Sequence, residues 1–421
     1  MPTDALTYAA LAIAILHMQN NNARWTAAAS RLDWVWVGLI VIVAATMALQ
    51  GPPLVDEWSH QSLIRYWLDG TPSPLADMVS TLPGYHIAVA QWVRVSGLGS
   101  LAALRMLTLV FGSAAVLLFA LIWRRWQSDS WLMSAQFAVL PLVLPFAVLV
   151  YTDVPSLFVV LLGVWLLVSG HVAWAGLALC AAVLVRQNNV VWSAFYVVVA
   201  WQAAAAMPVR TRLRGLWPLA LPSLLFIAHW VHNGSINNSA SESVLHPDLR
   251  LSIGNPLFFI FLLATLMPLH TLRAVVLALN RERWRLWLAP AVAIVVFALW
   301  FRVDHPYNQG MPEYFLRNQW LLNVVSHWPA KIVFAMLIAG GTLLLTTTPL
   351  IGMNSGVFLL LVMPFLAASW LIEQRYAIVP MSLWLLLRQP SAEWIERSTL
   401  YYWGSISLIL VMGMHTHRFF P

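Results

Sequence analysis

An adjacent pair of carboxylates, Asp56-Glu57, follows an early apolar stretch of this chain, and His60 stands about one helical turn further on. Carboxylates beside a bilayer are costly to desolvate, and a loop that only joins helices does not need two together. Neighbouring residues project in different directions from a helix or strand, so the pair divides its work. One would act as a general base and the other would hold a cation or a sugar hydroxyl. Asp56 is the first choice for the base and Glu57 the second; the plain alternative is a solvated loop start.

Two later clusters bring fixed positive charge. Arg186-Gln187-Asn188-Asn189 lies between strongly apolar stretches, where four polar residues are expensive unless they face a cavity or a ligand. Arginine matches phosphate through paired donors, and the amides of Gln187 and Asn189 suit sugar hydroxyls. Glu373-Gln374-Arg375-Tyr376 opens another apolar segment, and its Arg375 is a second phosphate candidate, against the alternative of an ordinary snorkelling arginine. Asp304-His305-Pro306-Tyr307 begins a loop that runs on to Glu313, Tyr314, Arg317 and Asn318, with His305 and Tyr307 as substrate-binding candidates. Thr81-Leu82-Pro83-Gly84-Tyr85 reads as a turn into a helix. Asp153 serves equally well as a helix cap or a ligand. Arg65 and Asp69, spaced i to i+4, read as a surface pair. His229, His232 and His246 lack metal-ligand spacing, and the single Cys180 supports neither a disulfide nor a cysteine metal site.

The elements that must position these groups are membrane helices. Hydrophobic residues make up 61% of the 421-residue chain and charged ones 9%, and the mean hydropathy is +0.76. A soluble domain is far more charged. At about 20 residues per span the chain holds roughly 12–14 transmembrane helices in one all-α membrane domain, 1–421. The net charge of +7 is almost wholly arginine, with Lys331 the lone lysine, and it falls in short clusters between spans. That pattern orients membrane helices and is no sign of nucleic acid. The N-terminus shows no cleaved signal, and residues 5–19 are an undecided span. Clear spans are 34–49 and 101–123, followed by others near 131–150, 156–170, 172–185, 190–206, 216–232, 256–279, 286–301, 331–347, 351–372, 376–387 and 400–414. The loop of about 51–99 carries helices lying in the interface, one over 58–68 and one over 85–95. Placing Arg24 and Arg31 in the cytoplasm puts the basic clusters 124–125, 210–214, 281–285 and 388–397 there too. The polar loops 51–85, 151–153, 186–189, 233–255, 304–318 and 373–376 then share the opposite side. Glycosylation sequons begin at Asn233 and Asn237 on that side.

Taken in order, Asp56-Glu57 with His60, Thr81 to Tyr85, Leu104-Arg105, Arg186-Gln-x-Asn, His305-Pro-Tyr and Glu373-x-Arg-Tyr resemble the dolichyl-phosphoglucose-dependent alpha-1,2-glucosyltransferase family. The likeness runs from about 50 to 380. It implies a GT-C glycosyltransferase fold, a polyprenyl-phosphate sugar donor, a lipid-linked glycan acceptor and inverting transfer on the extracytoplasmic side. On that pattern Asp56 is the base, Glu57 its neighbour, and His60, Tyr85, Arg186, Gln187, Asn189, His305, Tyr307, Glu373, Arg375 and Tyr376 bind substrate. No metal ligand is assigned, and a divalent ion is neither required nor ruled out. The chain departs from the family after His305-Pro306, where an Asp-Asn-Arg-His-Tyr stretch is usual and Met311-Pro312-Glu313-Tyr314-Phe315 stands here. If this loop holds the acceptor, a different acceptor follows. The Arg- and Ala-rich composition points to a bacterial inner membrane with an undecaprenyl-phosphate donor, as against the endoplasmic reticulum. The competing readings are another GT-C enzyme of mannosyl or aminoarabinose type and a polytopic lipid or sugar transporter. A transporter tends to carry ionisable groups at mid-membrane and to be built from repeated halves, and neither is evident in this sequence.

Overall fold

The computed structural model describes residues 30–127, 131–237, 245–247, 250–279 and 281–421, without the side chains of 281–283. The undecided span 5–19 and Arg24 lie outside these residues. Among the described residues all regular structure is helical, apart from isolated bridges between Phe315 and Phe420 and between Leu350 and Arg388. The chain is an all-α polytopic membrane protein.

Helix α1, Arg31–Ala48, starts at a capping box in which Ser30 and Asp33 satisfy each other's backbone amides. It packs along the closing helix Glu393–His415. There Asp33 accepts from Tyr401 at 2.9 Å and pairs with Arg397. Helices α2, Glu57–Asp69, and α3, Gly84–Ser96, are short and packed on each other. They fall where the two short helices of this loop were expected, 58–68 and 85–95. Helix α4, Leu101–Trp126, begins at the Ser100 cap.

Three described helices are long and apolar enough to cross a membrane: α1, α4 and Trp328–Thr347. The pair Gly254–Leu266 and Pro268–Ala278, bent by 99°, passes the same test only when its two helices are taken together. Several other apolar segments are shorter helices, among them Asp153–Val168, Val172–Val185 and Ser355–Ala367. Prolines account for two of the breaks. Pro268 has no amide to continue the ladder, so the stretch 256–279 is two helices and not one. In 131–150 the helix stops at Ala138 and resumes only over Leu144–Ala147, with Pro141 in the gap and Pro145 in the first turn of the resumed helix.

One buried ionic knot ties the start of this architecture together. Arg105 on α4 grips Glu57 with two bonds, Nε to Oε1 at 3.0 Å and Nη2 to Oε2 at 2.6 Å. Its remaining donors reach the carbonyls of Ala48, Gln50 and Pro52 at 3.2, 3.0 and 2.8 Å. Glu57 in turn accepts from the amides of Leu54 at 2.8 Å and Val150 at 2.7 Å. Both side chains are shut off from solvent, at 1% and 0% exposure. All five guanidinium hydrogens are used, so the charge is compensated as a buried charge must be. Removing one partner alone leaves the other charge uncompensated, at about 3–5 kcal/mol. Arg105→Met is therefore expected to lower the unfolding temperature in detergent sharply. The double variant Arg105→Met with Glu57→Gln should recover part of that loss, and an unaltered single variant would contradict the assignment.

Candidate active site

The knot fixes the residue beside it. Between Pro52, Leu54 and Glu57, all held by it, Val55 is driven to φ 47°. A β-branched residue enters that left-handed region only under constraint, at about 1–3 kcal/mol. Asp56 follows directly at the head of α2, and its amide donates to the Tyr151 hydroxyl at 3.1 Å. The two adjacent acids thus part company. Glu57 turns inward and holds a cation, but that cation is Arg105. Asp56 turns outward, 42% exposed, and meets Arg375 Nη1 at 2.8 Å.

Arg375 is shared. Its Nε bonds Glu373, and its guanidinium lies 5.4 Å from the Tyr151 ring centre and 5.9 Å from that of Tyr376. Glu373 is also held by Arg317 at 2.8 Å, and its amide is fixed by Asn255 at 2.9 Å. Arg186 pairs with Asp153 and lies 5.5 Å from the Tyr376 ring. Burial raises the Asp153 carboxyl pKa, while the charges of Arg186 and then Arg375 oppose the rise. Three carboxylates and three guanidiniums therefore balance here, and an arriving anion must displace a carboxylate. Exposure decides which one. Asp153 and Glu373 are 4% and 5% exposed, against 42% for Asp56. The Asp56–Arg375 contact is the weak link.

These groups wall a cavity of about 660 Å³. Asp56, His60, Arg186, Tyr307, Glu373, Arg375 and Tyr376 line it, with Tyr151 and Arg317 beside them. An apolar wall comes from Trp58, Leu75, Met78, Met311 and Phe315. Segments from five of the six loops expected on one side of the membrane thus meet in one space, and His246 brings in the sixth.

Five candidates stand outside the lining. Glu57 is in the knot. Tyr85 is buried against the α2–α3–α4 cluster that includes Ile64 and Leu104. Gln187 clamps the turn before α3, accepting from the Leu82 amide at 3.3 Å and donating to the Ser80 carbonyl at 3.1 Å. Gly84 makes that clamp possible, because a Cβ there would sit 2.7 Å from the Leu184 carbonyl oxygen. Asn189 bonds Ser156 and the Ala182 carbonyl, both at 2.8 Å. His305 caps the short helix Pro306–Gln309, its Nδ1 accepting from the Tyr307 amide at 3.0 Å. These five hold the frame of the site. Among the described residues, no group of three or more His, Cys, Asp or Glu is placed to hold a metal ion.

The structure also adds residues. Tyr151 was only a loop residue in the sequence, yet it contacts both Asp56 and Arg375; burial first, then the Asp56 charge, holds its phenol pKa well above the usual value. His86 bonds His60, with 2.9 Å between His86 Nε2 and His60 Nδ1. Phe420 closes part of the wall, its amide donating to the Tyr314 carbonyl at 2.7 Å. No local signal placed the distant Phe420 beside a loop a hundred residues earlier.

Residues 50–212 match the model of the DIE2/ALG10 family. Over 171 residues the chain is 28% identical to the Dol-P-Glc:Glc(2)Man(9)GlcNAc(2)-PP-Dol alpha-1,2-glucosyltransferase of Yarrowia lipolytica, a match covering 37% of this chain and 33% of that protein. The match thus spans about a third of the length of that relative. No solved structure matches. The matched stretch includes Asp56, His60, Arg105, Tyr151 and Arg186, while Glu373 and Arg375 lie beyond it. Over residues 50–212 this chain is similar to the DIE2/ALG10 family.

Proposed function

We propose that this protein is a membrane glycosyltransferase that moves a hexose, glucose on the pattern of its relative, from a polyprenyl-phosphate donor to a lipid-linked glycan. The observation that carries the reading is the contact of Asp56 with Arg375 inside a cavity that also holds Arg186. A base and the cations for a leaving phosphate are the parts such a transfer needs. The cavity would face the extracytoplasmic side of a bacterial inner membrane or the lumen of the endoplasmic reticulum, which the arginine distribution between spans supports.

The donor is a phosphodiester carrying one negative charge. Its phosphate competes with Asp56 for Arg375 and engages Arg186, so donor arrival frees the carboxylate that must act next. The acceptor hydroxyl gives its proton to Asp56 while its oxygen forms a bond to the anomeric carbon. The bond from that carbon to the phosphate oxygen breaks on the opposite face, and its electron pair stays with the phosphate. The second negative charge that develops there is met by Arg375 and Arg186, which are aimed by Glu373 and Asp153 and need no rearrangement. Attack opposite the leaving group inverts the anomeric configuration. A sugar phosphate already leaves well, so no strong general acid is needed. Glu57 has no part in proton transfer; it is a positioning residue that sets Asp56 through the knot.

Purified protein given radiolabelled polyprenyl-phosphate glucose, or the mannose counterpart, with native membrane lipids should transfer glucose. Transfer of neither sugar would overturn the proposal. Asp56→Asn should cut the rate by roughly 10²–10⁴-fold with protein levels maintained. Near-full activity of that variant would remove Asp56 from the role of base.

A further inference from the structure

His60 and His86 form a buried pair whose proton arrangement can be derived. Their rings meet edge to edge, 16° from parallel with centres 5.2 Å apart, and His60 Nδ1 lies 2.9 Å from His86 Nε2. His86 is fully buried, and its Nδ1 has no hydrogen-bond partner among the described residues. His60 lines the cavity, 5.4 Å ring to ring from Tyr151, and its Nε2 is the ring nitrogen left for a ligand.

One proton lies between the two rings. If His60 Nδ1 carried it, neutral His86 would keep its own proton on Nδ1, a buried N–H with nothing to receive it. If His86 Nε2 carries it, the unpartnered Nδ1 is only a lone pair. Orphaned buried N–H groups are the rarer and costlier defect. The second arrangement also gives both rings the Nε2–H form that neutral imidazole side chains favour. We propose that His86 donates to His60 and thereby fixes His60 as an Nε2–H donor to a hydroxyl oxygen of the donor hexose.

The assignment of the ligand rests on the function proposed above. A hexose whose phosphate sits on Arg375 and Arg186 lies against Tyr151, since Arg375 is 5.4 Å from one side of that ring and His60 is 5.4 Å from it too. An uncharged donor suits a hydroxyl there, whereas the arginines suit the phosphate. Burial, and then the charges of Arg375 and Arg186, pull the His60 pKa down to about 3. Burial and then His60 likewise hold His86 well below the usual value. Asp56 and Tyr151, the other ionisable groups near His60, do not reverse this. His60 is a ligand-contacting residue on this account, and His86 a positioning residue.

Histidine-labelled protein in detergent tests the dyad without reference to catalysis, because 15N spectra separate protonated from bare ring nitrogens. His60→Gln and His86→Gln assign the two rings. Both should remain neutral with the proton on Nε2 from roughly pH 8 to pH 5, across the range where an ordinary histidine titrates. A proton on His60 Nδ1, or a charge appearing in that range, overturns the proposal. Transfer assays test the ligand. Against polyprenyl-phosphate glucose, one monodeoxy analogue should be about fivefold to tenfold poorer with the wild-type protein. His60→Ala should abolish that one discrimination, His86→Leu should weaken it, and His86→Gln, which keeps a donor at the same place, should restore it. Equal discrimination in wild type and His60→Ala for every analogue overturns the hydroxyl assignment. Absence of any wild-type transfer counts against the proposed function and this ligand together, while the spectra still decide the dyad.

Discussion

The site depends on a guanidinium that never enters it. Arg105 holds the end of α1, the loop through Pro52 and the first residue of α2 by five hydrogen bonds from one side chain. Because Glu57 has both oxygens committed to Arg105 and to two backbone amides, α2 can start only there. Asp56 is then forced to the other side, into the cavity. A flexible loop would let Asp56 collapse fully onto the nearest arginine. A loop fastened at 57 and strained at 55 keeps it half exposed, within reach of Arg375 but not absorbed by it.

The second constraint is charge balance in a space walled partly by apolar side chains. Arg317, Glu373, Arg375 and Asp56 are linked in a chain of opposite charges, and Arg186 and Asp153 form a separate pair beside it. Without ligand, such a site is neutral and need not recruit counterions. With a phosphate, the two buried acids still hold their arginines in place, and only Asp56 is displaced. Donor binding and release of the base become one event. A second buried knot, Arg388 with Glu396, Gln136 and His270, shows the same construction away from the cavity. It fastens the second half of the bent pair, through His270, and the helix Trp131–Ala138, through Gln136, to the closing helix, and none of its four residues lines the cavity.

Much of this was legible in the sequence. Apolar length and arginine placement gave the membrane class and grouped the polar loops, because both follow from the cost of charge in a bilayer. The two short helices α2 and α3 were visible in their periodicity and their polar content. The division between Asp56 and Glu57 followed from their adjacency, though not which cation Glu57 would hold. Gln187 and Asn189 stand outside the cavity lining for a physical reason. An amide flanked by apolar stretches signals a buried need, and a carbonyl or amide of the chain satisfies it as well as a sugar does. The broken helices at Pro141, Pro145 and Pro268 were signalled by the prolines but outweighed by the apolar runs around them. His86, Tyr151 and Phe420 owe their roles to tertiary approach, which no spacing along the chain encodes.

The central claim is that donor phosphate and Asp56 compete for Arg375. Affinity for polyprenyl phosphate, measured on the wild-type protein and on Asp56→Asn under the same conditions, tests it most directly. Removing the competing charge should tighten binding several-fold in the variant. Weaker binding by Asp56→Asn, with the protein folded, would contradict the account.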